Sequence, residues 1–327
     1  MRTLEGAFRS RIHAVLHTPF TLGSGQEVFL TASIGAASWH GDEAARDLVR
    51  FAHTAMQQAK RSGPSGVRMF SGDMAIVSAS RLEAETALRR ALERAEFVPY
   101  YQPIVDLASG ATIRVEALVR WNHPTRGVVP PVEFIGLAEE TGLIVVLGDW
   151  MLHQAMRDCA SWQSSAPGIG VSVNVSAHQF RNGDLVGTVR SLLGELEHSA
   201  WNLAMLEELR ALGVLLALDD FGTGYSALTH LRKLPLTTIK MDRSFLDGIE
   251  AGDCEATVRA VVALAGVHGI GVVAEGIETE SACALVESAG CERGQGYLFR
   301  RPGPLSDILP TLCSRAFDAV GTSSLRV

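Results

Sequence analysis

The chain has 327 residues, 47% of them hydrophobic, and a net charge of −7 from 29 basic and 36 acidic side chains. That is enough apolar material for one large domain or two ordinary ones, and the negative balance argues against a broad face for a nucleic-acid polymer. The five cysteines are odd in number and form no C-x-x-C pair, and no apolar run is long enough to cross a bilayer, so a reduced, cytoplasmic chain is expected.

Residues 1–72 carry a small α/β pattern: a helix over Leu4–Leu16, a β-branched run at Glu27–Gly35, a helix over Glu43–Lys60 and a short strand at Gly66–Phe70. Residues 73–96 read as a linker helix with Leu82, Leu88, Ala91 and Leu92 on one apolar stripe. From 97 to 312 short apolar runs alternate with helical patterns. Strands are expected near Val98–Gln102, Ile113–Val119, Val171–Val175, Leu215–Leu218, Thr238–Met241, Gly271–Ala274 and Gly296–Phe299. Helices are expected over Pro131–Thr141, Val146–Trp162, Ser226–Lys233, Cys254–Val267 and Thr279–Ala289. Repeated β-then-α order predicts a parallel sheet, and the length suits a TIM-like barrel. Residues 313–327 are left as a tail.

The strands end on polar residues. Glu116 sits in the second, Asn174 ends the third, Asp219 and Asp220 the fourth, Lys240 and Asp242 the fifth, Glu275 the sixth, and Gln295 enters the last. In a parallel barrel these ends gather at one mouth. Carboxylates and an amide without histidine make an all-oxygen set suited to Mg²⁺ or Mn²⁺. Taken singly, each has a plainer reading: Glu116 as an ion pair with Arg120, Lys240 as the neutraliser of Asp242, Gln295 as a helix cap. Lys240 alone also admits a Schiff-base enzyme, although neighbouring carboxylates would keep that amine protonated.

Six motifs in order, Glu116-Ala-Leu-Val-Arg-Trp, Asn174-Val-Ser-Ala, Asp219-Asp-Phe-Gly-Thr-Gly-Tyr-Ser, Ile239-Lys-Met-Asp, Ala274-Glu-Gly-Ile-Glu and Gln295-Gly-Tyr-Leu-Phe, resemble those of the EAL domain. That family contains phosphodiesterases that open cyclic di-GMP to linear pGpG. The resemblance implies a barrel with one irregular strand direction and a two-metal site of Mg²⁺ or Mn²⁺. It makes Glu116, Asn174, Asp219, Asp220 and Glu275 metal ligands and Lys240, Glu275 and Asp220 catalytic. It assigns Gln102, Arg120 and Gln295 to the nucleotide, Glu278 and Asp242 to the surrounding shell, and the loop Phe221, Gly222, Thr223, Gly224, Tyr225 and Ser226 to coupling between metal and a homodimer. The first 72 residues, through Leu30-Thr-Ala-Ser-Ile-Gly and Ala55-Met-Gln-Gln-Ala-Lys, resemble the C-terminal half of a GGDEF, or diguanylate cyclase, domain. The Gly-Gly-Asp-Glu-Phe signature is absent, so cyclase activity is not expected.

One element of the pattern is missing. Active EAL domains carry a further strand between the Asn174 and Asp219 motifs, reading like Glu-Ile-Thr-Glu-Ser, whose first Glu binds metal and whose second braces the following loop. Here 45 positions separate Asn174 from Asp219, and the place for that strand holds Glu195, Glu197 and His198 without β-branched residues. Deletion of the strand is the simplest account. Either Glu197 or Glu195 substitutes as ligand, or the site is one carboxylate short and turnover is impaired. The alternative function is a receptor or interaction module that binds cyclic di-GMP without hydrolysis.

Overall fold

The computed structural model describes residues 19–24, 27–29, 31–39, 44–61, 66–185, 187–189, 203–221, 234–247 and 254–313. The chain divides into two compact units between Leu88 and Arg89. In the first, β1 (Phe20–Thr21) pairs antiparallel with β2 (Glu27–Val28), and β3 (Ile34–Ala36) runs parallel to β4 (Val67–Met69). Helix α1 (Ala45–Arg61) makes the crossover between the parallel strands. Gly35 is required beneath it, because a Cβ there would lie 2.0 Å from the Ala52 carbonyl oxygen. Ala55 and Ala59, one turn apart, are fully buried, and Phe51 stacks on Phe70 at 4.2 Å. The helix expected over 4–16 lies outside the described residues. Helix α2 (Gly72–Glu93) runs through the division between the units.

The second unit is a curled sheet with helices outside it. Its strands are β5 (Phe97–Asp106), β6 (Thr112–His123), β7 (Gly127–Val129), β8 (Gly170–Val173), β9 (Ala217–Phe221), β10 (Thr238–Met241), β11 (Gly271–Ala274) and β12 (Arg293–Gly294). The wall runs β8-β6-β5-β12-β11-β10-β9, and β7 is a hairpin partner of β6. All neighbours in this wall are parallel except around β5, which is antiparallel to both β6 and β12. The TIM-like barrel therefore has its one reversed strand. Seven strands form the wall, and β8 and β9 are its two edges, with no strand between them among the described residues. Glu195 and Glu197, which occupy that interval, lie outside the described residues, as does the helix expected over Ser226–Lys233.

Outside the sheet lie α3 (Ile135–Thr141), α4 (Leu143–Trp162), α5 (Ala177–Asn182), α6 (Leu203–Ala211), α7 (Cys254–Val267), α8 (Glu280–Ser288) and α9 (Leu305–Cys313). The continuous apolar run of β11 (Gly-Val-Val-Ala) follows from burial on both faces, whereas β10 (Thr-Ile-Lys-Met) interrupts its apolar residues with Lys240. Ile239, Met241 and Ala274 have no exposed surface and pack with Val258 and Ala265 of α7 and Val286 of α8. A second cluster sets Tyr101 and Val115 against Met151, Ala155 and Trp162 of α4, and the Tyr101 hydroxyl donates to Asp158 at 2.6 Å. Helix starts obey local chemistry: Thr279 accepts from the Ala282 amide at 3.1 Å, and Ser176 with Gln179 forms a capping box.

The last strand is not where the hydrophobic pattern puts it. Residues 296–299, expected as a strand, form a turn, and β12 precedes them at Arg293–Gly294. Gly296 lies so close to Ile277 that a Cβ would be 2.0 Å from that residue's carbonyl oxygen. The Leu298 amide then donates to the Ile277 carbonyl at 3.0 Å and the Phe299 amide to Gly296 at 3.2 Å, which closes the turn.

Candidate functional site

Side chains alternate across a strand, so Gln102, Glu116, Lys240, Glu275 and Gln295 come to the inside of the wall when the residues beside them face the helices. Register aligns them. Gln102 lies opposite Glu116 between β5 and β6, and Lys240 opposite Val273 between β10 and β11, just before Glu275. Between β9 and β10 the pairing shifts, from Leu218 opposite Ile239 to Phe221 opposite Met241. Two residues, Asp219 and Asp220, thus span the position of one, Lys240. Asp220 takes φ of +51°, a left-handed value that costs an L-residue of order 1 kcal/mol. This bulge aims an adjacent pair of carboxylates at the mouth.

Lys240 is the hub. Its ammonium lies 2.8 Å from Glu116 Oε1, 3.0 Å from Asp219 Oδ1 and 2.6 Å from Glu275 Oε1. Burial disfavours its charge, but the three carboxylates outweigh that and hold its pKa well above the ordinary lysine value. Burial likewise pushes the Glu116 carboxyl up. Lys240 and donors from Gln295 and Asn174 prevail and hold it below the usual range. Asn174 Nδ2 donates to Glu116 Oε1 at 2.8 Å, and Gln295 Nε2 donates to Glu116 Oε2 at 2.6 Å and to Gln102 Oε1 at 2.9 Å. The side-chain Oε1 of Gln295 is buried and has no partner among the described residues, an acceptor at the wall of the cavity.

Glu275 differs from Glu116. Its burial, with repulsion from Asp219 and against the pull of Lys240, leaves its pKa pushed up to about 7. Asp220 is raised by burial and by the nearby Asp219 and Asp242. These are the marks of carboxylates crowded without enough positive charge. One oxygen each of Asp219, Asp220 and Glu275 lies within 4.8 Å of the others, a spacing and chemistry that fit one hard divalent ion. It is the one such group among the described residues. Glu116 and Asn174 are instead engaged with Lys240, Gln295 and each other.

These side chains line a cavity of about 330 Å³ that also includes Leu118, Asp242, Arg243, Gly276, Glu278 and Tyr297. Asp242 does not neutralise Lys240. Its carboxylate accepts from the Ser244 amide at 3.0 Å, which holds its pKa below the ordinary value. Glu116 does not pair with Arg120, and Arg120 is not on the cavity wall: it donates to the Val119 carbonyl and lies over the Tyr100 ring at 5.4 Å. Phe221 is buried in the core. Gly222, Thr223, Gly224, Tyr225 and Ser226 lie outside the described residues. Arg243, Gly276 and Tyr297 were not singled out in the sequence, although Arg243 directly follows a strand-end motif and Tyr297 stands within one.

The EAL domain profile matches residues 85–302. A cyclic di-GMP phosphodiesterase, NbdA of Pseudomonas aeruginosa, is 37% identical over 94% of this chain and 42% of its own length. A bifunctional diguanylate cyclase/cyclic di-GMP phosphodiesterase of the same organism, MucR, is 39% identical over 88% of this chain and 45% of its own. The chain spans less than half the length of these curated relatives. Among solved structures, the PaMucR phosphodiesterase in complex with c-di-GMP superposes with a TM-score of 0.64 at 39% identity, covering 69% of this chain and 99% of that one. The cyclic di-GMP-bound EAL enzyme Bd1971 gives a TM-score of 0.69 at 28% identity over 84% of this chain and 77% of that one. With its strand-end carboxylates, its central lysine and its one reversed strand already in place, the chain belongs to the EAL domain family.

Proposed function

We propose that the cavity binds cyclic di-GMP and, with Mg²⁺ or Mn²⁺, hydrolyses one of its phosphodiester bonds to give linear pGpG. Water adds to phosphorus, the bond from phosphorus to the ribose O3′ breaks, and O3′ leaves with a proton. Divalent ions supply Lewis acidity for this class of reaction. The observation that carries the reading is Lys240 clasped by Glu116, Asp219 and Glu275 at the strand ends, beside Asp220. Lys240 keeps three carboxylates together and positions them. Asp219, Asp220 and Glu275 would hold the ion, and the side-chain Oε1 of Gln295, without a partner among the described residues, offers an acceptor to a nucleotide N–H or O–H.

Turnover in this reading is slow, because among the described residues no strand with a further metal-binding Glu stands between the β8 and β9 edges. The same observation favours a second reading, a cyclic di-GMP receptor that does not hydrolyse. The wider reading includes a cytoplasmic homodimer and a first unit descended from the tail of a GGDEF domain. Incubation with cyclic di-GMP and Mn²⁺, followed by product separation, decides between the readings. Slow pGpG formation that disappears in Glu116→Ala supports the enzyme. Tight binding without product supports the receptor, and neither binding nor product removes both.

A further inference from the structure

The cavity presents six carboxylates, those of Glu116, Asp219, Asp220, Asp242, Glu275 and Glu278, to a ligand proposed to carry two phosphates. Among the described lining residues the cations are Lys240 and Arg243. Lys240 has three N–H donors and spends them on three carboxylates at 2.6–3.0 Å. No donor of Lys240 remains for a phosphate. We infer that Arg243 is the ligand's phosphate contact and a determinant of its binding.

Arg243 opens the short turn Arg243–Leu246 that follows β10 and Asp242. Asp242 precedes it in the chain, and one of that carboxylate's oxygens is committed to the Ser244 amide at 3.0 Å. Among the described residues the Arg243 guanidinium makes no hydrogen bond and no ion pair within 4.0 Å. The root of its side chain packs against backbone. Gly276, which follows Glu275, has φ of +69°, and a Cβ on it would lie 2.4 Å from the Arg243 Cβ. The β11 end therefore needs glycine both for its conformation and to let Arg243 close against it. An exposed arginine rooted beside Gly276, with its planar fork uncommitted among the described residues at an acidic mouth, suits two-point recognition of a phosphate.

The assignment rests on the cyclic di-GMP reading, and its test separates the two. Isothermal titration with cyclic di-GMP is run in EDTA and in Mn²⁺ for the unaltered protein, Arg243→Ala, Arg243→Gln and Arg243→Lys. Loss of about tenfold or more in affinity for the Ala and Gln variants, with part of it regained by Lys, is expected for removal of a charge-assisted contact. The Mn²⁺ affinity and the circular dichroism spectrum should not change. Equal affinity in Arg243→Ala and the unaltered protein overturns the assignment. Failure of the unaltered protein to bind cyclic di-GMP removes the functional reading instead, and Arg243 is then judged with inorganic pyrophosphate. Pyrophosphate binding lost in Arg243→Ala supports the site, whereas unchanged or absent binding overturns it.

Discussion

The two sides of the barrel wall bear the same kinds of residue in different surroundings. From β6 through β12 to β10, Glu116, Gln295 and Lys240 are only 4–6% exposed, and Glu116 accepts from donors on three other segments. At the β9 edge the Asp219 side chain is 41% exposed, Leu215 is 52% exposed, and Asp220 sits in a left-handed conformation. The closed side holds its geometry by packing and internal ion pairing. The edge holds carboxylates in excess of the positive charge beside them, so an ion contributes most there.

Substitution in the closed wall should break the contrast most visibly. Ile239→Ala, at a position with no exposed surface, should cost about 4 kcal/mol in urea unfolding of the barrel. A cost under 1 kcal/mol would mean that this side is no better packed than the edge. Glu116→Ala should cost about 3 kcal/mol, because it strands the buried donors of Lys240 and Gln295. A variant as stable as the unaltered chain would show that the buried network does not hold the site.

The next effect is one of pH. Glu275 titrates near 7 when folded, against an ordinary value of 4.5, so the folded chain keeps this proton as pH rises and the unfolded chain does not. Its contribution makes the apoprotein less stable as pH rises from 4.5 toward 7, with no further loss above. A ligand carboxylate must be ionised, so Mn²⁺ affinity should fall about tenfold between pH 8 and pH 6. An affinity independent of pH over that range would exclude Glu275 as a ligand. The smallest effect belongs to the edge: Leu215→Ser should alter stability by about 0.5 kcal/mol or less. A larger loss in the same urea assay would show that something covers β9.

The sequence made the local part of this architecture legible. The bounds of β10 and α7 coincide with the strand and helix expected at Thr238–Met241 and Cys254–Val267, since β-branched content and helical periodicity are written locally. The β12 strand was misplaced because the close approach of Gly296 to Ile277 is a tertiary constraint that no window of sequence carries. The gathering of strand-end residues followed from topology, but the partners did not. Lys240 reads as the mate of Asp242 two residues away, and it bonds Glu116 across 124 positions instead. Arg243 carries no signal in the sequence and is singled out only by the cavity wall, where the other cation among the described lining residues, Lys240, is engaged with three carboxylates.

The central claim of the proposed function is a cyclic di-GMP site on the closed side with a metal shell that, among the described residues, gains no carboxylate between the β8 and β9 edges. The initial rate of pGpG formation, measured as a function of Mn²⁺ concentration at saturating cyclic di-GMP, tests it in one experiment. The account predicts a slow rate that keeps rising through millimolar Mn²⁺ without a plateau. A fast rate that saturates at micromolar Mn²⁺ would contradict it and require a full set of ligands at the edge.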